Sequence, residues 1–254
     1  MDADTDGTGG TDETMATMRP SASTCYHCLS VDHGAVLHTH QHNEAYLAVV
    51  LEGGYEEAGD GGCQRVQTGD VVLHSAFEMH NNRYHANGSR LIVLGLPQEF
   101  HKPRTVMQVR DPDAIARVAE VDPAQALEQV LAEMTPVNRE GNDWPHALAS
   151  ALRNAPSLRL DRWACEAGLA EATVSRGFAK VFGLTPIAYR ARQKARMAWQ
   201  MILGGAHSLT DVAFHAGFCD QAHMGHAIMA MTGRTPGAWQ RSCRSQMDTR
   251  PPIG

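Results

Sequence analysis

The stretch Val181-Phe182-Gly183-Leu184-Thr185-Pro186-Ile187-Ala188-Tyr189 occurs a second time, in altered form, as Met231-Thr232-Gly233-Arg234-Thr235-Pro236-Gly237-Ala238-Trp239. The glycine, threonine, proline, alanine and terminal aromatic residue keep their places, at an offset of 50 positions (186 to 236). Upstream, Ala164-Cys165-Glu166-Ala167-Gly168-Leu169 returns as Ala213-Phe214-His215-Ala216-Gly217-Phe218 at an offset of 49. The carboxy-terminal part of the chain therefore contains two copies of one structural unit.

Each copy is predicted to form a helix, a turn and a second helix. In the first copy, four apolar residues have the spacing of one helix face: Leu160, Trp163, Ala164 and Ala167. Gly168 gives the backbone the freedom that a sharp turn requires. The second helix is predicted from about Glu171 to Phe182 and ends at Gly183. Thr185 and Pro186 then begin the next helix with a capping hydroxyl and a preset dihedral angle.

The second copy repeats this pattern, with a turn at Gly217 and a helix from about Asp220 to Met231. Its first helix has the apolar residues Leu209, Val212, Ala213 and Ala216. The second helix of each copy is predicted to bury one side. In the first copy this side carries Val174, Phe178, Val181 and Phe182. In the second copy it carries Met224, Ala227, Ile228 and Met231. The opposite side is predicted to face solvent or a DNA groove, and carries Ala172, Thr173, Ser175, Arg176 and Lys180 in the first copy and Gln221, His223, Gly225 and His226 in the second.

A helix is predicted to join the two copies, from Pro186 to Leu203. It carries four basic residues and no acidic residue: Arg190, Arg192, Lys194 and Arg196. A helix of this length spans about 27 Å. Successive major-groove faces of a duplex lie about 34 Å apart, so the two copies fit one face of DNA.

Residues from about Ser157 to Arg241 resemble the DNA-binding domain of the AraC/XylS family, in which a long helix joins two helix-turn-helix units. The resemblance rests on the following matches: Ala167-Gly168, Ser175-Arg176-Gly177-Phe178, Phe182-Gly183-Leu184-Thr185-Pro186, Tyr189, Ala216-Gly217-Phe218, Asp220-Gln221 and Gly233-Arg234-Thr235-Pro236. It implies a sequence-specific transcriptional regulator that binds double-stranded DNA, as a homodimer, and that contacts RNA polymerase if it is an activator.

The resemblance also implies which residues read DNA. Ala172, Ser175 and Arg176 correspond to base-reading positions of the first unit, and Gln221, Ala222 and His226 to those of the second. Arg176 is the strongest candidate, because arginine can make a bidentate contact with guanine, whereas Lys180 is expected to meet phosphate. Three more candidates complete the set: Thr173, Arg190 and His223. The second unit departs from the family pattern, with His226, Ile228, Met229 and Ala230 where relatives carry an arginine, an aromatic residue and basic residues. We therefore expect weaker binding by the second unit.

The charge of the chain is divided unevenly. From Ser157 onward there are 12 lysines and arginines and 6 aspartates and glutamates, a net of +6; the totals of 22 and 28 leave 10 and 22 for residues 1–156, a net of −12. A basic domain attracts phosphate, and an acidic one keeps the rest of the protein off the duplex.

The remaining composition points to a cytoplasmic protein of two domains. No apolar run approaches the ~20 residues needed to span a bilayer. Residues 1–20 are acidic and rich in Gly and Thr, unlike a signal peptide, and are expected to be a disordered tail, and residues 242–254 are expected to be a flexible tail. Cys25-Tyr26-His27-Cys28 is either a redox pair or two ordinary thiols. Phosphate-loop, serine-nucleophile and kinase motifs are not found, so no catalytic residue is assigned and no enzymatic activity is expected.

The amino-terminal half has the pattern of short strands. Apolar runs cover Ala35–Leu37, Ala45–Leu51, Gly69–Leu73 and Leu91–Leu96, with turns predicted at Gly53-Gly54, Gly59 to Gly62 and Asn87-Gly88. This pattern favours a small antiparallel β-barrel. Residues 34–96 resemble the cupin-type sensor domain of many such regulators, through Gly34 to His42, Val50-Leu51-Glu52-Gly53 and Gly69 to His80. We place this domain at residues 21–100 and the DNA-binding domain at residues 151–241.

Residues 101–150 are predicted to be a helical linker. Ile115, Val118 and Ala119 share one helix face, as do Leu127, Val130 and Leu131. Two interpretations stay open: the two apolar faces form a dimer contact, or they pack on their own barrel.

A row of histidines is the clearest chemical feature of the amino-terminal half. On a regular strand, His38, His40 and His42 would face the same way, with Glu44 next in the row. With His80, this is the metal set of catalytic cupins, in a register that begins at either His38 or His40. Imidazole and carboxylate suit Zn, Fe, Ni or Mn. Alternatively, the same histidines line an effector pocket without a metal ion, with Tyr46 and Tyr84.

The sequence thus predicts a regulator whose cupin-like domain senses a small effector. One alternative is a metal-sensing regulator that uses the histidine row. Another is a metal-dependent cupin enzyme whose DNA-binding domain is vestigial.

Overall fold

The computed structural model describes residues 26–97, 106–137, 141, 143–155, 157–205 and 207–248. They fall into two compact units: the first takes the chain up to His146 together with Val181–Gly183, and the second takes Ala147–Lys180 and the chain from Leu184 onward. The predicted disordered tail at residues 1–20 and Cys25 lie outside the described residues. None of the helices in the described ranges has the length and apolar character that crossing a bilayer requires.

The amino-terminal unit is built on an antiparallel sheet, as predicted. Its strands are β1 (Tyr26–Val31), β2 (Val36–Gln41), β3 (Tyr46–Gly59), β4 (Gly62–Gln67), β5 (Asp70–His74), β6 (Met79–Gly95), β7 (Val106–Gln108) and β8 (Thr135–Pro136). The main path runs β1-β6-β3-β5-β7-β8, while β2 pairs with β6 and β4 pairs with β3. Two helices precede β8: α1 (Pro112–Val121) and α2 (Pro123–Glu133).

Two of the predicted turns are instead irregularities within long strands. Strand β3 continues through Gly53-Gly54, and β6 continues through Asn87-Gly88. Their pairing shifts register between Gly53 and Tyr55. Gly53 and Gly88 both have positive φ, and a Cβ on Gly53 would lie 2.0 Å from the carbonyl oxygen of Gly88. The glycines therefore permit a close crossing of two strands rather than a reversal of the chain.

The sheet has an apolar core on each face. One core consists of alternate residues of β2, β3 and β6, including Leu37, Val50 and Leu91. The other covers the opposite face of β3 and includes Ile115 and Val130 of the two helices. Ile115, Ala119 and Val130 are buried in this core, as expected for packing on their own sheet, whereas Leu131 is 40% exposed, so the dimer contact stays a prediction.

The carboxy-terminal unit is helical, as predicted. It contains α3 (Trp144–Asn154) from Ala147 onward, followed by α4 (Leu160–Glu166), α5 (Glu171–Phe182), α6 (Pro186–Leu203), α7 (Leu209–His215), α8 (Gln221–Thr232) and α9 (Pro236–Asp248). The bounds predicted for α5 and α6 match the structure. Helix α9 reaches Asp248, so the prediction of a flexible tail from residue 242 is wrong for residues 242–248.

Capping side chains and turn glycines in the two copies determine where these helices begin and end. The Thr185 hydroxyl accepts a hydrogen bond from the backbone N–H of Ala188 at 3.3 Å and caps α6. Gly168 and Gly217 have φ of 67° and 75° in the two matching turns. One predicted inward residue differs: Ala167, directly after the end of α4, is exposed, whereas the matching Ala216 after α7 is buried.

Aromatic pairs fill the core of this unit. Phe178 packs edge to face on Tyr189 with ring centroids 5.3 Å apart, and Trp199 packs in the same way on Trp239 at 5.7 Å. Both pairs link α6 to another helix of the unit. The long helix is thus held along its length, and both copies are anchored to it.

Candidate nucleic-acid interface and metal centre

Helix α5 presents a polar face to solvent on the side opposite its core contacts. Val174 and Phe178 are buried. The other side carries the exposed residues Ala172, Thr173, Arg176 and Lys180 and the half-buried Ser175. Arg176 and Lys180 are four residues apart, so their charges lie on the same side of the helix. A helix that follows a tight turn and presents such a face has the geometry that enters a major groove.

Helix α8 presents the equivalent face of the second copy. Met224 and Ile228 are buried, and the exposed side carries Gln221, Ala222, His223 and His226. Asp220 caps the helix, since its Oδ1 accepts a hydrogen bond from the backbone N–H of His223 at 2.7 Å. The sequence of α8 contains no lysine or arginine. This face therefore has the shape of a reading helix without its usual positive charge.

The basic residues of α6 serve the fold of the carboxy-terminal unit. The guanidinium of Arg190 donates to the carbonyl oxygen of Leu158 at 2.7 Å. The ammonium of Lys194 donates to the carbonyl oxygen of Gly217 at 2.8 Å, and Arg196 is buried. Arg190 is half-exposed and bonds this carbonyl through Nη1, so its predicted contact with DNA stays a prediction.

In the amino-terminal unit, three histidine side chains converge: His40, His42 and His80, here called the outer group. The ring centroids of His40 and His80 are 4.4 Å apart, and those of His40 and His42 are 5.0 Å apart. One nitrogen from each ring lies within 4.8 Å of the others. Three imidazoles at this spacing can bind one transition-metal ion.

Two residues of the predicted histidine row lie outside this group. In the pairing of β2 with β6, Leu37 lies opposite Asn82 and His40 lies opposite His80. Three steps along β2 therefore match two steps along β6, so β2 contains one extra residue. Such a bulge reverses the alternation of side chains. His38 is consequently exposed, and the prediction that it faces the same way as His40 is wrong. Glu44 is half-buried and belongs to neither group of close metal-binding atoms in the described residues.

The ring of His40 is oriented for metal binding. Its Nδ1 lies 2.7 Å from the carbonyl oxygen of His38 and must donate, because a carbonyl only accepts. Its Nε2 is buried, with no hydrogen-bond partner among the described residues. Metal-binding histidines usually donate their other ring N–H in this way. Burial, with a smaller effect of His40, lowers the pKa of His42 to about 4, so at pH 7 this ring is neutral, the form that binds metal.

The two predicted tyrosines have different surroundings. The Tyr46 hydroxyl lies 3.3 Å from Nε2 of His80, beside the histidines. Tyr84 is buried against Tyr55, with ring centroids 5.1 Å apart. Burial, and secondly the nearby Glu57 carboxylate, raises the pKa of the Tyr84 hydroxyl. Tyr46 therefore belongs to the histidine cluster, whereas Tyr84 belongs to the apolar core.

Two residues near the cluster were not predicted: Glu57 and His74, which with His80 form a second group of close metal-binding atoms, here called the inner group. His74 ends the apolar run of β5, a pattern that indicated only a buried strand. Glu57 follows Gly53-Gly54, which indicated a turn. Neither residue could be placed without the pairing of β3 with β5 and β6.

The match to a protein-family model lies in the carboxy-terminal part of the chain. A model described as a helix-turn-helix domain matches residues 163–242. The virulence regulon transcriptional activator VirF of Yersinia enterocolitica and the thermoregulatory protein LcrF of Yersinia pestis are each 31% identical over 78 residues, which are 31% of this chain and 29% of the relative. The chain thus matches less than a third of the length of these relatives. Among solved structures, ToxT of Vibrio cholerae with a bound unsaturated fatty acid has a TM-score of 0.39 and 9% identity, over 88% of this chain and 97% of that chain.

Proposed function

We propose that this chain, whose residues 163–242 form a helix-turn-helix domain of the AraC type, is a sequence-specific DNA-binding regulator of transcription that acts in the cytoplasm. The observation that carries the proposal is that one 18-residue helix, α6, connects two helix-turn-helix copies. The second helices of the copies, α5 and α8, are here called the reading helices. Both follow a glycine turn, both bury one side, and both expose polar residues at matching positions. Helix α6 is about 27 Å long, so the two reading helices can fit two successive major grooves, whose faces lie about 34 Å apart.

The test is a binding titration with the full chain and a duplex selected from random sequences. Arg176→Ala should cost about 1–3 kcal/mol at the base pair it reads and relax the preference there. Arg117→Ala is the matched control, because Arg117 is an exposed arginine of α1 in the other unit. Failure to select any sequence, or equal losses in the two variants, would contradict the proposal.

The amino-terminal unit is proposed to sense a small effector, and the regulator to act as a homodimer. The sensing role is supported by the histidine cluster and Tyr46, which lie together in the amino-terminal unit. Their side chains can donate hydrogen bonds to a small molecule or bind a metal ion. An effector changes DNA binding only if it binds two states of the protein with different affinity. Leu131 of α2 is 40% exposed beside the buried Val130, which keeps this segment a candidate for the dimer contact. If the regulator is an activator, RNA polymerase is a further partner.

A second candidate for the effector is a transition-metal ion bound among the histidines around His80. The convergence of the imidazoles and the buried Nε2 of His40 support it. DNA affinity would be measured with metal-free protein and with added Zn²⁺. We expect a difference in the original chain and none in His80→Ala. By linkage, DNA must change the affinity for Zn²⁺ by the same factor. An effect of Zn²⁺ that persists in His80→Ala would place the ion elsewhere.

The alternative of a cupin enzyme makes a different prediction. Turnover of a small acid or sugar by the purified chain, lost in His40→Ala, would favour it over a sensor.

A further inference from the structure

The inner group consists of Glu57, His74 and His80, one residue from each of the strands β3, β5 and β6. All three are buried, with exposures of 0%, 2% and 2%. Oε2 of Glu57 lies 3.8 Å from Nε2 of His74. The rings of His74 and His80 have centroids 4.6 Å apart. One metal-binding atom from each residue lies within 4.8 Å of the other two.

These separations suit ligands of one metal ion. Zinc–ligand bonds are about 2.0–2.2 Å for imidazole nitrogen and carboxylate oxygen, so ligand atoms around one tetrahedral ion lie roughly 3.3 Å apart. A contraction of a few tenths of an ångström brings Glu57 and His74 to that distance. The two-histidine, one-carboxylate set is one that Zn²⁺ and other divalent transition metals accept.

The inner group differs from the outer group in charge. Burying a carboxylate in an apolar interior is costly unless a cation or strong hydrogen bonds compensate it. Asn82 and His74 already contact the Glu57 carboxylate, and a divalent ion held by Glu57 and two imidazoles would add to that compensation. The outer group offers three imidazoles and no carboxylate, so it would bury the full charge of the ion.

Neighbouring side chains hold the inner group in place. The Asn82 amide donates to Oε2 of Glu57 at 3.0 Å. The ring of Tyr46 stacks on that of His74, with centroids 4.4 Å apart and planes 17° apart. The Tyr46 hydroxyl also reaches Nε2 of His80. Such supporting contacts fix the orientation of metal ligands and are part of the design of metal sites.

We propose that Glu57, His74 and His80 bind a divalent transition-metal ion in the interior of the sheet. The proposal rests on the metal candidate of the proposed function and specifies its ligands. It replaces Glu44 by Glu57 as the carboxylate and adds His74, which the histidine row did not contain. Tyr46 and Asn82 are positioning residues.

X-ray absorption at the zinc edge tests the ligand set on the unaltered, full-length chain loaded with Zn²⁺. The inner group predicts two imidazole nitrogens and at least one carboxylate oxygen around the ion. Three imidazoles without a carboxylate would assign the ion to the outer group and overturn the proposal. A chain that binds no Zn²⁺ would overturn it as well.

Zn²⁺ affinity of variants gives a second, independent test. Glu57→Gln and His74→Gln should each lose more than about 100-fold in affinity, and Asn82→Ala about 10–100-fold as a positioning residue. Glu56→Gln is the matched control, because Glu56 is the next residue of β3, pairs with Arg65 and has a side chain 39% exposed. A larger loss in His42→Ala than in His74→Gln would overturn the inner group while leaving metal sensing intact. Because DNA is absent from both measurements, failure of DNA binding would be recognised separately.

Discussion

Arg176 and His226 occupy equivalent exposed faces of the two reading helices but differ in what they can offer DNA. A guanidinium can contact guanine with two hydrogen bonds and carries a permanent charge. A neutral imidazole offers one donor and one acceptor. We therefore predict that Arg176→Ala weakens specific binding by about 1–3 kcal/mol and that His226→Ala weakens it less, as measured by titration of a selected duplex. Equal losses, or a larger loss for His226→Ala, would refute this ranking.

Two glycines of the carboxy-terminal unit should respond to the same substitution with opposite signs. Gly168 has φ of 67°, and a Cβ added to it or to Gly225 would meet no atom within 4 Å. Gly168→Ala should therefore destabilise the unit by the backbone term alone, about 1–2 kcal/mol. Gly225 lies in α8 without a positive φ, so Gly225→Ala should stabilise the unit by about 0.5–1 kcal/mol.

The measurement is urea unfolding followed by tryptophan fluorescence. Three of the four tryptophans belong to the carboxy-terminal unit: Trp163, Trp199 and Trp239. The fluorescence therefore reports mainly on that unit. A stabilising effect of Gly168→Ala would contradict the role assigned to its backbone conformation.

The histidine row shows where prediction from single residues fails. His40, His42, His80 and Tyr46 could be proposed from the sequence because histidine spacing is visible there. The exclusion of His38 could not, because it depends on one extra residue in β2 opposite β6. Glu57 and His74 were missed for a similar reason: strand pairing over tens of residues brings them together, and no local pattern records that pairing.

At the scale of elements, the start of α8 depends on a single side chain. Asp220 satisfies the backbone N–H of His223 and places a negative charge at the positive end of the helix. Asp220→Ala should cost about 1 kcal/mol in the free energy of unfolding of the carboxy-terminal unit. Asp220→Asn should cost only a few tenths of that, because asparagine caps almost as well. The same fluorescence assay compares the two variants; equal costs would show that the side-chain oxygen is not responsible.

Helices were predicted more accurately than strands, and the reason is physical. The bounds of α5 and α6 follow from Gly183, Thr185 and Pro186, which act within one turn of the chain. Strand β3 runs through Gly53-Gly54 and β6 through Asn87-Gly88, two dipeptides that in other proteins often form turns. Their continuity is decided by partners on other strands, so the local sequence indicated interruptions that the sheet does not have.

At the scale of the whole molecule, charge is separated between an acidic amino-terminal half and a basic carboxy-terminal part. DNA affinity should therefore fall steeply as salt rises, through release of counterions from phosphate. Lys180→Ala should reduce the slope of log K against log salt concentration by about 1 and leave the base preference unchanged. The measurement is a salt series on the selected duplex and on an unrelated one. An altered base preference would show that Lys180 contacts a base.

The fixed length of α6 also limits how such a regulator and its target genes can change over generations. Each residue inserted into a helix rotates everything beyond it by about 100° and advances it by about 1.5 Å. One inserted codon in this segment would thus rotate the second reading helix away from the DNA face while moving it only slightly along the axis of α6. Under the proposed function, the base sequences bound by the two reading helices can change independently. The distance between those base sequences, by contrast, we expect to be inherited unchanged.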